Sequence, residues 1–594
     1  PSPLKHRLSE LAKSISFLGY VGAFMIAFAY LFNAFVIDSG MNLSLMMVRL
    51  QDHEFLLHEI IKAITVAVSV VVVAVPEGLP MMITVVLSSN MKRMLKNGVL
   101  VRRLVGIETA GSLNILFTDK TGTLTTGKMT VCGIHGGDFS YTNYGQLRSC
   151  EKLRIGISEC VVTACAPGGS GATEKAVLAA IKDPVHAACA ARLPFDSSRK
   201  YSASLIKTKE NTRAYFLGAP ERLLAGCVRY MDSTGNELAL DPAKAQEISE
   251  KLQSLGEASC RVVCCAAGSE ADFQSAKSGA QPAALTFLCL LAIRDPIRSE
   301  VRRAVSDAQH AGIHVIMVTG DNPATAGAVA KETGILTSKC SRVLPASELA
   351  KMSDETVKKI LPEVAVISRA LPSDKIRLVR IAKDAGLVAG MTGDGINDAP
   401  ALKAADVGFA MGSGTDIAKE SGDIVITDDS FSSITKAVLY GRTIFESIRK
   451  FVVFQLMMNL CAMGVSLIGP FMGIDSPVTV IQMLWVNIIM DTLGGLAFAA
   501  LRRYMLRPSL PRDAGILNGA MIHQILFSGL YSLGLCIFFL NSDWLRSRLS
   551  GSSETYYLTV FFAMFIFCGV FNSFNARTPQ RNLLAHISAN KPFI

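Results

Sequence analysis

The chain has 594 residues, half of them hydrophobic, with 14 cysteines and a net charge of +10. That length is too great for one compact core, so several domains are expected. The basic residues form no stripe interleaved with aromatics, which argues against a nucleic-acid binder. The cysteines show no CxxC…CxxC framework and no zinc spacing, so reduced cytosolic thiols are expected.

Apolar residues gather near both ends of the chain. Six stretches, near 15–37, 62–88, 450–470, 478–500, 519–541 and 556–574, are each long enough to cross a bilayer, which takes about 20 residues. The longest gap, between the second and third crossings, must hold the soluble part. Basic pairs such as Lys92-Arg93 and Arg102-Arg103 flank the crossings on that side, and the short loops opposite are poor in Lys and Arg. The large loop is therefore expected in the cytoplasm. Arg546 and Arg548 in the 542–555 loop fit this rule less well. The chain begins on Pro1 without a signal peptide, and is expected to start inside a longer gene product.

Within the large loop, short apolar runs alternate with helical patterns. Leu113–Thr118, Leu285–Ala292, His314–Thr319, Val364–Ser368, Leu387–Met391, Val407–Phe409 and Ile424–Ile426 read as buried strands, and Arg298–Ala311 as a helix. The alternation predicts a parallel α/β sheet. Residues 128 to about 284 interrupt it and read as an inserted domain.

The first of these runs ends on Asp119, followed by Lys120-Thr121-Gly122-Thr123. Ligands of parallel sheets bind at the carboxyl ends of strands, and an aspartate there can act as a nucleophile on a phosphoryl group. Three further strand ends supply matching chemistry. Thr319-Gly320-Asp321 offers a hydroxyl and backbone N–H groups, Lys375 offers a cation, and Asp394-Gly-Ile-Asn397-Asp398 offers carboxylates. Magnesium takes one or two carboxylates, waters and phosphate oxygens. Asp119 and Asp394 would serve, with Thr121 beside them and Asp398 close behind. One such acid alone is more often a helix cap, but four pieces in order, each ending an apolar run, are hard to explain as caps. Gly122-…-Gly127-Lys128 has P-loop spacing, but Met129 follows where magnesium needs a hydroxyl.

Asp119-Lys-Thr-Gly-Thr-Leu-Thr, Thr319-Gly-Asp and Met391-Thr-Gly-Asp-Gly-Ile-Asn-Asp-Ala-Pro resemble the signatures of P-type ATPases. The resemblance runs nearly end to end. It implies transmembrane α-helices plus a haloacid-dehalogenase-like doubly wound parallel sheet, and transfer of the γ-phosphate of ATP to Asp119. It also implies an inserted α+β nucleotide-binding domain. There Glu174, Phe195, Lys200, Gly218 and Arg261 match positions around the nucleotide, with Thr319, Gly320, Asp321, Arg369 and Lys375 on the phosphate side. An aromatic face with cations suits a purine triphosphate; without the resemblance, Phe195 would read as a core residue. The family usually has Lys-Gly-Ala where this chain has Leu217-Gly218-Ala219, a loss expected to weaken ATP binding by ~1–2 kcal/mol. The implied division is 1–91 membrane helices, 92–127 and 285–443 phosphorylation domain, 128–284 nucleotide-binding domain, and 444–594 membrane helices and tail.

Glu77 lies inside the second crossing, where a carboxylate marks function by default. Pro76 beside it lacks an N–H and disfavours helix before it. The carbonyls of Val72, Val73 and Val75 are thereby freed to line a site with Glu77, and carbonyls plus a carboxylate suit calcium. Asn487 and Asp491, four residues apart, share one helix face, and Asn459 stands in the preceding crossing. Val-Pro-Glu-Gly-Leu-Pro, Phe454-Gln-Leu-Met-Met-Asn459, Trp485-Val-Asn-Ile-Ile-Met-Asp491 and Phe571-Asn-Ser-Phe-Asn-Ala-Arg577 resemble the plasma-membrane type of calcium pump. Ala462 stands where two-site pumps carry an acid, so the resemblance implies one calcium site. It further implies a multi-pass protein of the cell membrane, with ATP, Mg²⁺, Ca²⁺ and the bilayer as partners and protons as a plausible counter-ion. A pump for Mn²⁺ or Na⁺, a membrane-anchored phosphatase of the haloacid-dehalogenase type and an inactive relative are the competing readings. The family's actuator domain, its first two crossings and its last two are not in this sequence, and the chain alone is expected not to complete a transport cycle.

Overall fold

The structure is a computed structural model that describes residues 3–74, 79–165, 171–184, 188–207, 212–258, 260–474, 477–498, 515–549 and 553–577. Two sheets carry the soluble part. The first has eight strands in the spatial order Val99–Val101, Ile424–Ile426, Val407–Met411, Ala389–Gly393, Ile115–Asp119, His314–Val318, Val364–Ser368 and Arg342–Pro345. Every neighbouring pair is parallel except the edge strand Val99–Val101, which runs antiparallel to Ile424–Ile426. Ile115–Asp119 sits in the middle, and the chain returns to it from both sides. This is the switch point of a doubly wound sheet, where a crevice opens at the strand carboxyl ends. The strands between the two edges are buried along nearly their whole length, as their mainly apolar sequences predict.

The second sheet holds nine strands between Thr130 and Arg294, and its pairings are antiparallel but for Leu285–Arg294 with Cys227–Met231. Leu285–Arg294, expected as a strand of the parallel sheet, belongs here instead: it pairs antiparallel with Thr130–His135 on one side and Arg261–Gly268 on the other. A fully buried apolar run carries no mark of strand direction, which is why its sequence alone placed it wrongly. The two connections between sheets run side by side. Thr125 pairs with Ile297 in an isolated bridge, and the Thr126 N–H donates to the Pro296 carbonyl at 3.0 Å.

Five described helices or helical stretches are long and apolar enough to cross a membrane: Ser9–Ile37, His53–Val72, Phe431–Ile468, Gly519–Leu540 and Thr555–Arg577. The expected crossing at 62–88 is divided between the helices His53–Ala74 and Leu79–Lys96, with residues 75–78 outside the described residues. That at 478–500 is the helix Val480–Ala497, apolar through Ile481–Met490 and reaching beyond the described side chains. Phe431–Ile468, 38 residues long, starts beside the parallel sheet and continues into the apolar bundle.

Candidate functional site

Four loops at the carboxyl ends of the parallel strands converge on Asp119. The Asp119 N–H donates to Thr392 Oγ1 at 3.1 Å, and Thr392 in turn donates to Thr118 Oγ1 at 3.0 Å. These bonds tie the strand that carries the aspartate to its neighbour Ala389–Gly393. Lys375, in the first turn of the helix Pro372–Asp384, reaches both Asp119 Oδ1 at 2.9 Å and Asp398 Oδ1 at 2.6 Å. Carboxylate oxygens of Asp119, Asp394 and Asp398 lie within 4.8 Å of one another.

Burial pushes the Asp119 carboxyl up to about 6; the Lys375 ammonium pulls it down and Asp398 pushes it up. Asp394 is raised as well, by burial and by Asp398. Burial alone would lower Lys375, but attraction to Asp119 and Asp398 outweighs it and holds the ammonium charged. Three clustered acids facing one buried cation are short of positive charge. A divalent cation would supply it, and the donor set of hard carboxylate oxygens fits magnesium.

Gly122 shows why the loop after Asp119 needs glycine. Its φ is +70°, and a Cβ there would stand 2.0 Å from Asp394 Oδ2. Any side chain would drive Asp394 out of the cluster. Lys120 pairs with Asp321 at 2.6 Å. Thr319 is buried, its Oγ1 accepts from the Asp321 N–H at 3.2 Å, and Gly320 between them leaves open space above the loop. Arg369, at φ +53°, donates its N–H to the Asp321 carbonyl at 2.8 Å; its backbone braces the loop while its side chain is exposed. Thr121 and Asn397 lie exposed at the rim, and among the described residues no hydrogen bond joins the Asn397 side chain to the acids.

Sequence reading passed over several supports. Thr118 and Thr392 stood inside quoted segments without a role. Arg298, read only as a helix start, donates to the carbonyls of Gly122 (3.2 Å) and Thr125 (3.1 Å). The Thr415 N–H donates to the Asp394 carbonyl at 2.8 Å. Partners so distant in the chain leave no local pattern to find.

In the antiparallel unit, a cavity of about 450 Å³ is lined by Glu174, Phe195, Lys200, Leu217, Gly218 and Arg261, among others. All five residues assigned to the nucleotide thus face one space, of a size ordinary for a small-molecule site. Phe195 is 57% exposed, which rules out a core role and leaves its ring open to stack. Leu217 is 5% exposed, and its side chain joins the apolar cluster beneath the cavity. Lys200 and Arg261 are the cations facing the space among the lining residues. Arg261 also lines a smaller cleft of about 150 Å³ with Lys120, Arg294 and Asp321, so the two spaces meet at that residue.

In the membrane part, Asn487 Oδ1 and Asn459 Nδ2 are buried and have no hydrogen-bond partner among the described residues. Asn487 sits on the helix Val480–Ala497, which packs against both halves of the divided crossing. An orphaned amide oxygen costs about 1–3 kcal/mol in an apolar interior, and a cation ligand would relieve that cost. Val72 closes the described part of its helix's apolar span, and its carbonyl has Pro76 at i+4, which offers no N–H. Val75 and Glu77 lie outside the described residues, as do the side chains of Val73 and Asp491.

Three family models match. One described as P-type ATPase, cytoplasmic domain N, covers residues 174–300; one for the C-terminus of cation transporting ATPases covers 475–594; and one for haloacid dehalogenase-like hydrolases covers 390–438. The whole chain aligns with a putative plasma membrane-type calcium-transporting ATPase 13 of Arabidopsis thaliana at 33% identity over 635 residues. It aligns equally fully with a probable plasma membrane-type calcium-transporting ATPase 8 of Oryza sativa subsp. japonica at 35% identity. Along its whole length the chain is similar to P-type ATPases. It spans 61% of the length of each of these two relatives. The P-type ATPase fold accounts for both sheets: a haloacid-dehalogenase-like unit carries the acids, and an inserted unit carries the aromatic cavity.

Proposed function

We propose that this protein is an ATP-driven calcium pump of the plasma membrane, in which Asp119 takes the γ-phosphate of ATP. The observation that carries the reading is the cluster of Asp119, Asp394 and Asp398 at the sheet's switch point, with the Lys375 ammonium paired to Asp119 and Asp398. The names of the relatives support calcium as cargo.

ATP binds with its base against Phe195, between Glu174 and the Leu217-Gly218 strand, and its phosphates run past Lys200 and Arg261 toward the cleft at Lys120 and Asp321. Lys375 holds Asp119 Oδ1, so Oδ2 is the attacking oxygen. It bonds to the γ-phosphorus as the bond to the β,γ-bridging oxygen breaks, and ADP leaves with that electron pair. Lys120, Thr319 and the N–H groups of Gly320 and Asp321 take the developing charge on the phosphoryl oxygens. Asp119, Thr121 and Asp394 would hold magnesium, which supplies charge neutralisation when bound. Water later attacks the phosphorus, the bond from phosphorus to the Asp119 oxygen breaks, and inorganic phosphate leaves with the Asp119 carboxylate restored.

The proposed calcium ligands are the carbonyls of Val72, Val73 and Val75 and the side chains of Glu77, Asn487 and Asp491, with Asn459 as a further candidate. The Asn487 oxygen, without a partner among the described residues, supports this, and Ala462, where two-site pumps carry an acid, supports a single site. A proton is the proposed counter-ion. The chain divides into membrane helices (1–91 and 444–594), a phosphorylation unit (92–127 and 295–443) and a nucleotide unit (128–294), the last boundary drawn to include the strand Leu285–Arg294.

The test is acid-stable labelling of membranes carrying the protein by ATP labelled in its γ-phosphate, with and without calcium, beside Asp119→Asn. The expected outcome is a label that needs calcium and vanishes in the variant. A label that answers to another cation would keep the pump and change the ion. No label with any cation would overturn the reading in favour of a phosphatase or an inactive relative.

A further inference from the structure

Cys132 and Cys260 belong to none of the sites above, yet their sulfurs lie 3.8 Å apart although the residues are 128 positions apart in sequence. Both are only partly buried, so a small oxidant can reach them. The local backbone brings them together. On the strand Thr130–His135, Val131 pairs with Ile293 and Gly133 pairs with Ala292, so Cys132 is the extra residue of a β-bulge. Bulges turn a side chain away from its regular direction and free it from a cross-strand partner. The Cys132 sulfur contacts the Ala292 carbonyl at 3.4 Å and faces Cys260, which lies just outside the strand that begins at Arg261.

The position gives the pair consequences. Cys132 stands two residues inside the Thr130–Arg294 pairing where the chain enters and leaves the nucleotide unit. Cys260 immediately precedes Arg261, which donates to Thr173 Oγ1 at 2.9 Å and lines the nucleotide cavity. We propose that Cys132 and Cys260 form a peroxide-sensitive thiol pair whose disulfide draws Arg261 out of the nucleotide cavity. The effect on nucleotide rests on the reading of that cavity given above.

The Cys132 thiol is lowered to about 7, chiefly by its hydrogen bond from Cys260; burial opposes this and the Arg294 guanidinium assists it. Cys260 is raised by the same contact and by burial. Cys132 is thus about half thiolate at neutral pH, and Cys260 keeps its proton. The Cys132 sulfur attacks one oxygen of hydrogen peroxide. An S–O bond forms, the O–O bond breaks, and hydroxide leaves to become water. The sulfur is oxidised to the sulfenic acid and the peroxide is reduced. Cys260, losing its proton, then attacks the Cys132 sulfur; the S–S bond forms and the S–O bond breaks, releasing a second water. An S–S bond of about 2.05 Å requires the sulfurs to close in from 3.8 Å. Cys260 lies between the helix Pro242–Glu257 and the strand starting at Arg261, outside regular structure and held by the bond from its N–H to the Leu255 carbonyl at 3.0 Å, and its displacement toward Cys132 pulls on Arg261, the next residue.

The experiment treats the full chain in membranes with hydrogen peroxide or dithiothreitol, maps disulfides by mass spectrometry, and titrates ATP. The expected result is a Cys132–Cys260 cross-linked peptide after peroxide and an ATP Kd weaker by about tenfold, or ~1.4 kcal/mol. Dithiothreitol reverses both, and Cys132→Ser and Cys260→Ser show neither. Separate oxidation of the two thiols without a cross-link overturns the proposal, and so does a cross-link that leaves ATP affinity unchanged. If the reduced chain binds no ATP, the reading of the cavity fails instead, and the thiol pair stands or falls on the cross-linked peptide.

Discussion

An exposed phenylalanine needs a reason, and Phe195 has one in the cavity beside Lys200 and Arg261. Base–aromatic stacking is worth ~1–3 kcal/mol. Phe195→Ala is therefore expected to weaken ATP binding by about five- to a hundredfold while leaving the melting temperature unmoved, because the ring is buried in no core. Calorimetric titration beside a thermal melt checks both halves; a fallen melting temperature with unchanged affinity would return Phe195 to a packing role. His314 makes the opposite case. Its ring is largely enclosed between the Leu361 carbonyl, 3.1 Å from Nε2, and the Cys340 sulfur, 3.5 Å from Nδ1. Burial holds its pKa below the ordinary value of 6.5. Above that value both folded and unfolded states carry a neutral ring, and the contribution is complete. As pH falls below it, the unfolded chain takes a proton that the folded one refuses, so stability is lost toward acid. Urea unfolding midpoints at neutral and mildly acid pH should converge more in His314→Asn than in the parent chain.

At the scale of elements, the contact between Leu104–Gly111 and the long helix Phe431–Ile468 is made backbone to backbone. A Cβ on Gly441 would sit 2.2 Å from the Ile107 carbonyl oxygen, and one on Gly111 would sit 2.3 Å from the Gly441 carbonyl carbon. Arg442 locks the contact, its guanidinium donating to the carbonyls of Gly111 at 3.3 Å and Ala311 at 2.7 Å. Glycine to alanine inside a helix ordinarily stabilises by about 1 kcal/mol. Here the neighbours are backbone and cannot step aside, so Gly441→Ala is expected to destabilise by ~1–3 kcal/mol, read as a lower unfolding midpoint. Gly441 shows where sequence reading stops. Helices, strands and the loops holding Asp119, Lys375 and Asp394 were legible because each is written locally: an apolar run, then a turn carrying the reactive residue. The Gly111–Gly441 contact, the Arg298 brace and the bulge at Cys132 each join residues far apart in the chain, and a single sequence carries no trace of which distant partner a glycine or arginine will meet. The strand Leu285–Arg294 failed for a related reason: burial fixes its composition, while its neighbours decide its direction.

Over the whole molecule, the distribution of apolar cores sets what moves with what. One continuous cluster runs from Val315 and Met317 of the parallel sheet, through Phe431 and Phe451, to Cys461, Phe561 and Phe565 among the membrane helices. The nucleotide unit has two clusters of its own on either face of its sheet. The phosphorylation unit is therefore welded to the membrane part, and the nucleotide unit is tied to it chiefly by the paired connections at Thr125–Thr126 and Pro296–Ile297. The long helix spans ~57 Å at 1.5 Å per residue, and it carries Arg442 near the sheet and, farther along, Asn459, whose Nδ2, like Asn487 Oδ1, has no partner among the described residues. If calcium at those amides is sensed at Asp119, this rod is the direct physical path. Leu456→Pro tests it: proline removes one helical hydrogen bond and clashes with the Val452 carbonyl, at a cost of ~3 kcal/mol or more. ATP affinity should survive, since the nucleotide cavity rests on separate cores, while the calcium dependence of Asp119 labelling should be lost. Labelling that still answered to calcium would mean that the signal travels through the divided crossing and Leu79–Lys96 instead, a route that also reaches the sheet, through the strand Val99–Val101.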